Sequence, residues 1–407
     1  MTSCEVKQPA GAVLITNGLL CHSDGKTAHG LIRGSARYSI LAVLDQVYAG
    51  RDAGDLLDNQ HRCIPVFGSV TELMEQTAPA PQYAIIGVAL DGGILPDSWK
   101  STLMELLTHG VSLVSGLHTR LADDPELSRL ARGSGAEIID IRKPKPVDEL
   151  SFFSGAIYHV TAPRIAVLGT DCAVGKRTTC RMLLEICRQH GIKTEVIYTG
   201  QTGWLQGYPY GFILDATPND FVSGELEQAI VQCASESNPD LILLEGQSAL
   251  RNPHGPCGAE FILSGHARHI ILQHAPFRPY FENLKRPECR IPTVQEEMEL
   301  LHCYGAQTLA VCLNGDGGTE EELNAYHRTL EQEIGIPVIN CGPGGKTDNE
   351  DSLHETIDEL GRLSERAERY GLTLCVKAHV GRAIYNTPTS LAALKAIDSP
   401  AFGLDMD

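Results

Sequence analysis

The chain has 407 residues, enough for two or three domains, and its 43% hydrophobic content is that of an ordinary globular protein. A formal net charge of −18 opposes binding of polyanions, and the short basic stretch Arg142-Lys-Pro-Lys145 reads as a solvated connection, so nucleic acid is not expected as a partner. No segment reaches the length of a membrane span, and thirteen cysteines dispersed from Cys4 to Cys375 without a C-x-x-C pair point to reduced thiols in a cytoplasm.

The apolar run from Gly11 to Leu20 contains Thr16 and Asn17 and lacks both a basic leader and a small-residue cleavage site, so it does not read as a signal peptide. Short apolar strands follow at Tyr38 to Leu44, Ile64 to Phe67, Tyr83 to Ala89, Val111 to Ser115 and Glu137 to Ile141. Helical spacing fills Pro96 to His109 and Asp124 to Arg132, and Asp45, Gly68 and Gly116 close strands as parallel strands close into loops. This alternation predicts a Rossmann-like domain over residues 1–150, without the G-x-G-x-x-G fingerprint of nicotinamide binding. Lys143-Pro-Lys-Pro146 interrupts both periodicities and marks the boundary.

A second α/β unit is expected over residues 151–342, with strands at Arg164 to Leu168, Thr194 to Tyr198, Leu241 to Leu244, His269 to Gln273, Thr308 to Leu313 and Pro337 to Asn340. Its first strand runs into Gly169-Thr-Asp-Cys-Ala-Val-Gly-Lys176 and then a helix, which is the layout of a phosphate cradle. Backbone N–H groups of such a loop converge on an anion, the helix N-terminus adds partial positive charge, and the lysine adds a full one. The fold class is therefore α/β, a Rossmann-like domain followed by a P-loop NTPase-like doubly wound parallel sheet. The loop has five residues, Thr170 to Val174, between its glycines and Arg177 after Lys176. A hydroxyl for Mg²⁺ must then come from Thr178 or Thr179, or the metal role is absent.

Ligands of open parallel sheets gather beyond the carboxyl ends of the strands, where Gly169 to Lys176, Thr199 to Gly203, Glu245 to Gln247, His274 and Asn314 can converge. Glu245 ends a very apolar strand and is a candidate proton acceptor or metal holder, its alternative being a loop carboxylate that caps Ser248 or a nearby N–H. Thr199-Gly-Gln-Thr-Gly203 offers Gln201 and Thr202 to a substrate, or forms a structural turn. Asp215, Asp220 and Glu225 lie close together in sequence and suit a substrate ammonium or a metal, unless Asp220 caps the next helix. His254, in the rigid loop Arg251 to Pro256, is a candidate for proton transfer at neutral pH. Cys172 lies inside the loop and reads as a redox-sensitive position before a nucleophile.

The loop resembles that of dethiobiotin synthetase and its ATP-dependent relatives, with Glu245-Gly246 and Asn314 at comparable points. A match over roughly residues 10 to 340 is to a bacterial family long labelled as of unknown function and associated with D-glutamate N-acetyltransferase activity. It is carried by Ser115-Gly-Leu-His118, Asp140-Ile-Arg-Lys-Pro144, Gly169 to Thr179, Asp215 through Glu225 and Glu245-Gly-Gln-Ser248. The resemblance implies transfer of an acetyl group from acetyl-CoA to the amine of a small acidic amino acid such as D-glutamate. Gly169, Thr170, Asp171, Cys172, Ala173, Val174, Gly175, Lys176, Arg177, Thr178, Thr179 and Asn314 would then bind cofactor. Gln201, Thr202, Asp215 and Asp220 would bind substrate, and Glu245 or His254 would take the amine proton, with no metal. The alternatives are an ATP-dependent ligase or kinase with Mg²⁺, and a nucleotide-binding regulatory module without turnover. A cytoplasmic homo-oligomer acting on a small molecule, away from membranes, is expected. Residues 343–407 form a third segment, in which Leu372 to Gly381 and Gly403 to Asp407 resemble pieces of a xylose-isomerase-like TIM barrel. That resemblance nominates His379, Asp405 and Asp407 as metal ligands, in a segment too short to close a barrel. It belongs either to a longer fusion or to an accessory lobe.

Overall fold

A computed structural model describes residues 9–341, 374–377, 395, 397, 399, 400 and 402–405. One compact unit comprises Met1–His274 and Pro279–Cys312, a second Ala275–Arg278 and Leu313–Asp407. Within the first unit the chain begins β1 (Ala10–Ile15), α1 (Lys26–Ile32), β2 (Tyr38–Leu44), α2 (Ala53–Asp58), β3 (Val66–Phe67), α3 (Val70–Gln76), β4 (Tyr83–Ile86), α4 (Lys100–Thr108), β5 (Ser112–Ser115), α5 (Pro125–Ser134) and β6 (Ile138–Asp140). These strands make a parallel sheet in the order β3-β2-β1-β4-β5-β6, that of a Rossmann-like domain. Alternate residues of β1 serve opposite faces: Val13 and Ile15 pack with Leu103 and Leu113, whereas Ala12 and Leu14 pack with Leu31 and Val43. The run that contains β1 shows no alternation in sequence because both faces are covered. The expected strands at Ile64 and Tyr83 are shorter than the periodicity suggested, since Pro65 precedes β3 and Gly87 follows β4.

The same unit continues with β7 (Arg164–Gly169), α6 (Lys176–Gln189), β8 (Thr194–Tyr198), α7 (Gln201–Gln206), β9 (Tyr210–Gly211), α8 (Asn219–Ser237), β10 (Leu241–Glu245), α9 (Ala259–Leu263), β11 (His269–His274), α10 (Val294–Cys303) and β12 (Gln307–Leu313), whose last residue opens the second unit. From β12 the strand order runs β12-β11-β7-β10-β8-β9, which sets β7 between β10 and β11. Ala166, Val167, Leu243, Leu244, Ile270 and Leu272 are buried, so the strand bearing the phosphate loop is embedded in the sheet. Thr199 to Gly203 is not a plain turn: Gly200 caps α7, which starts at Gln201.

The linker between the domains is pinned to α8. Glu225 and Glu227, both buried, accept from the backbone N–H groups of Ser151, Ser154 and Ile157. A Cβ on Gly224 would lie 2.0 Å from the Ser151 carbonyl oxygen, so the helix admits the linker only through glycine. The stretch expected as a solvated connection is also tied down. Arg142 pairs with the exposed Asp215 at 2.7 Å, and Lys145 pairs at 2.6 Å with Glu225, whose buried carboxylate needs a cation.

The second unit carries α11 (Glu320–Ile334), β13 (Val338–Asn340) and a parallel pair, β14 (Leu374–Lys377) with β15 (Phe402–Asp405). Of the residues nominated by the barrel resemblance, His379, Asp407 and the Asp405 side chain lie outside the described residues.

Candidate phosphate-binding site

β7 delivers Gly169 into the loop, and the turn closes through left-handed backbone at Ala173 (φ 50°) and Gly175 (φ 109°). A Cβ on Gly169 would sit 2.9 Å from Val174 and 3.3 Å from the Lys176 side chain. Val174 is fully buried and anchors the loop from below. Lys176 opens α6 and folds back, its Nζ donating to the carbonyls of Asp171 at 2.6 Å and Ser248 at 2.7 Å. Burial pulls its pKa below the usual lysine value.

Strand ends on both sides hold the loop. On one side Thr170 shares a 2.9 Å hydrogen bond with His274 Nδ1, and Thr179 donates to Gln273 Oε1 at 2.7 Å. Burial pushes the His274 pKa down to about 4, so the ring is neutral at physiological pH. From the segment after β10, Asn252 donates to Asp171 Oδ1 at 3.0 Å, and from the segment after β11 the Glu282 N–H donates to Oδ2 at 2.8 Å. Asp171 is thereby a latch, and Cys172 contacts Ser248 and Asn252 beside it. The sequence did not single out Gln273, Asn252 or Ser248 as members of this site. The available signals were a polar Gln-His pair ending an apolar strand and an asparagine before Pro253.

Glu245 ends β10 beside Val167 and is 5% exposed, and its Oε2 has no hydrogen-bond partner. Burial raises its pKa; Arg177 opposes that shift most, then Lys176. Oε2 lies over Gly203, where a Cβ would come within 2.9 Å. No hydrogen bond joins Glu245 to Ser248, whose hydroxyl accepts from the Cys172 thiol and whose carbonyl serves Lys176.

A P-loop fold implies Mg²⁺ held by a hydroxyl after the lysine and by an acidic strand end. The donor set here does not fit that ion. Arg177 stands at the hydroxyl position, the Thr179 hydroxyl is committed to Gln273, and Thr178 sits exposed one position beyond the place where the metal hydroxyl belongs. Glu245 alone remains of the expected pair.

The predicted substrate residues divide. Gln201 and Thr202 lie where the Rossmann-like domain meets α7: Arg142 donates to Gln201 Oε1 at 3.0 Å, Thr202 and Thr27 hydroxyls lie 3.4 Å apart, and Gly116 abuts Gln201. Asp215, Asp220 and Glu225 do not form one carboxylate cluster, because Asp215 is taken by Arg142 and Glu225 by Lys145 and Ser151. Asp220 is exposed in the first turn of α8 and makes no cap. His254 is exposed, its backbone N–H bonded to Asn252 Oδ1. Asn314 lies in the second unit, where its Oδ1 accepts from the Asp316 N–H. In the Rossmann-like domain, Asp45 at the tip of β2 is 1% exposed and accepts from Thr16, Gly18, Leu20 and Val47. Its carboxylate fastens the β1 loop.

Fold and site together define a two-domain α/β protein, Rossmann-like followed by P-loop. Residues 46–144 match the family model described as the DUF1611_N Rossmann-like domain, and residues 151–348 match the DUF1611_C P-loop domain, both of unknown function. The chain belongs to the DUF1611 family. It is 30% identical over 281 residues to a D-glutamate N-acetyltransferase of Tritonibacter scottomollicae, covering 66% of this chain and 80% of that protein. Identity to a D-glutamate N-acetyltransferase of a Pseudoalteromonas species is 28% over 263 residues, covering 63% and 76%. A crystal structure of a DUF1611 family protein from Anabaena variabilis ATCC 29413 superposes with a TM-score of 0.73 at 29% identity, over 81% of this chain and 95% of that one. Among the described residues no helix is long and apolar enough to cross a membrane.

Proposed function

We propose that the chain is an N-acetyltransferase that moves an acetyl group from acetyl-CoA to the amine of a small acidic amino acid such as D-glutamate. The observation that carries this reading is a phosphate cradle whose donor set lacks the metal-binding hydroxyl, in a chain whose relatives bear that name. CoA offers a pyrophosphate and a ribose phosphate, which a cradle of N–H groups and Lys176 can hold without hydrolysing anything. The substrate amine must lose a proton to attack the thioester carbon, and the thiolate of CoA leaves with the acyl bond broken. Glu245 sits directly behind the loop, whereas the long pantetheine arm carries the thioester away from the phosphates. His254, exposed on the loop that Asn252 ties to Asp171, is the acceptor we favour.

The test is incubation with acetyl-CoA and either glutamate enantiomer, without ATP or metal, with N-acetylglutamate followed by mass spectrometry. D-Glutamate is expected to yield product, and His254→Gln to lower kcat more than it raises KM. Absence of product from both enantiomers would sink the acyltransferase reading.

A further inference from the structure

We propose that Arg177 is a resident cation standing where a P-loop protein holds its divalent metal, so that Lys176 and Arg177 together bind a pyrophosphate-bearing ligand without any metal ion. The proposal deepens the CoA reading above and rests on it for the identity of the ligand.

Position is the first ground. Arg177 follows Lys176 directly at the start of α6, in the place of the metal-binding hydroxyl; Thr179 is bonded to Gln273, and Thr178 lies exposed one position further round the helix. Unspent capacity is the second. The Arg177 guanidinium makes no hydrogen bond among the described residues, although it is partly buried and carries five donors. Its electrostatic partner is Glu245, the acidic strand end, whose buried Oε2 also has no hydrogen-bond partner. A guanidinium without hydrogen bonds and a buried carboxylate oxygen without a partner, in one site, mark a place built for something further.

The space around the guanidinium is shaped for it. A Cβ on Gly30 of α1 would come 3.2 Å from Arg177 Nη2 and 3.2 Å from Thr202 Cγ2, so this helix glycine leaves room for the side chain. Arginine suits the role chemically. Its planar fork matches phosphate oxygens two at a time, and it stays charged at any pH the protein meets. Arg177 thus adds one fixed positive charge to that of Lys176, where a P-loop protein adds a divalent ion to its lysine, and Glu245 acts on that charge electrostatically.

Calorimetric titration of the whole protein with CoA, in EDTA and in Mg²⁺, reads this directly. The wild type is expected to bind with the same affinity in both. Arg177→Thr, which restores the hydroxyl, is expected to lose about tenfold or more in EDTA and to regain affinity when Mg²⁺ is added. Arg177→Lys, which keeps a cation, is expected to stay metal-independent; melting curves confirm that each variant is folded. A wild-type affinity that collapses in EDTA, or an Arg177→Thr protein that binds in EDTA as the wild type does, overturns the proposal. ADP serves as a second probe. Metal-free binding of ADP that depends on Arg177, with no binding of CoA, would uphold the resident cation and defeat the CoA reading; binding of neither probe would overturn both.

Discussion

Two buried titratable side chains at the phosphate loop impose opposite pH dependences on stability. Glu245 has its pKa raised by burial above the ordinary 4.5, so the folded protein keeps that proton after the unfolded chain has released it. Stability therefore declines as pH rises from about 4.5 through the folded pKa. Glu245→Gln cannot ionise and is expected to melt higher than wild type at pH 8, with the gap closing below pH 4.5 in calorimetric melts. His274 works the other way, since its pKa falls from 6.5 to about 4 and the unfolded chain takes the proton first. Roughly 3 kcal/mol of stability is present above pH 6.5 and lost as pH drops toward 4. His274→Asn should flatten that acid limb of the stability profile; an unchanged limb would show that other groups govern acid unfolding.

At the level of elements, the contest at Gly224 can be decided by magnitude. Alanine is a better helix former than glycine by about 1 kcal/mol, which favours Gly224→Ala in the long α8. Against this stands a Cβ 2.0 Å from a backbone oxygen and 2.5 Å from two backbone carbons, and overpacking of that kind costs about 1–3 kcal/mol. Urea unfolding is expected to show net destabilisation of Gly224→Ala. The elements also divide by what their sequence could reveal. The strand and glycine loop at Gly169 to Lys176 were legible because apolar run, turn and helix follow one another locally. The acidic tip at Glu245 was legible for the same reason. β1 was not, because a strand covered on both faces has no period to read, nor was α7, whose Gly200 and Gly203 look like turn residues. Gly203 is needed for approach to Tyr198 and Glu245, contacts that exist only once strands distant in sequence are side by side. The environment of Arg177 was hidden likewise, since Gly30 lies in the other domain.

Across the whole first unit, the two domains are joined by side chains whose burial differs. Arg142 is 12% exposed and serves both Asp215 and Gln201, whereas Asp215 is 42% exposed. Loss of an exposed carboxylate costs little, about 0–1 kcal/mol, but removal of the shared guanidinium strips two partners at once. Arg142→Ala is expected to lower the melting temperature more than Asp215→Ala; equal effects would mean that Gln201 contributes nothing. The position of β1 has a practical corollary for dissecting the molecule. The matched Rossmann-like segment starts at residue 46, beyond both β1 and β2, yet β1 is the strand that β2 and β4 flank. A gene fragment cut at that boundary would encode β4 with β5 but without β1, and β3 without β2. A cloning boundary that yields an intact amino-terminal half must therefore lie upstream of Ala10.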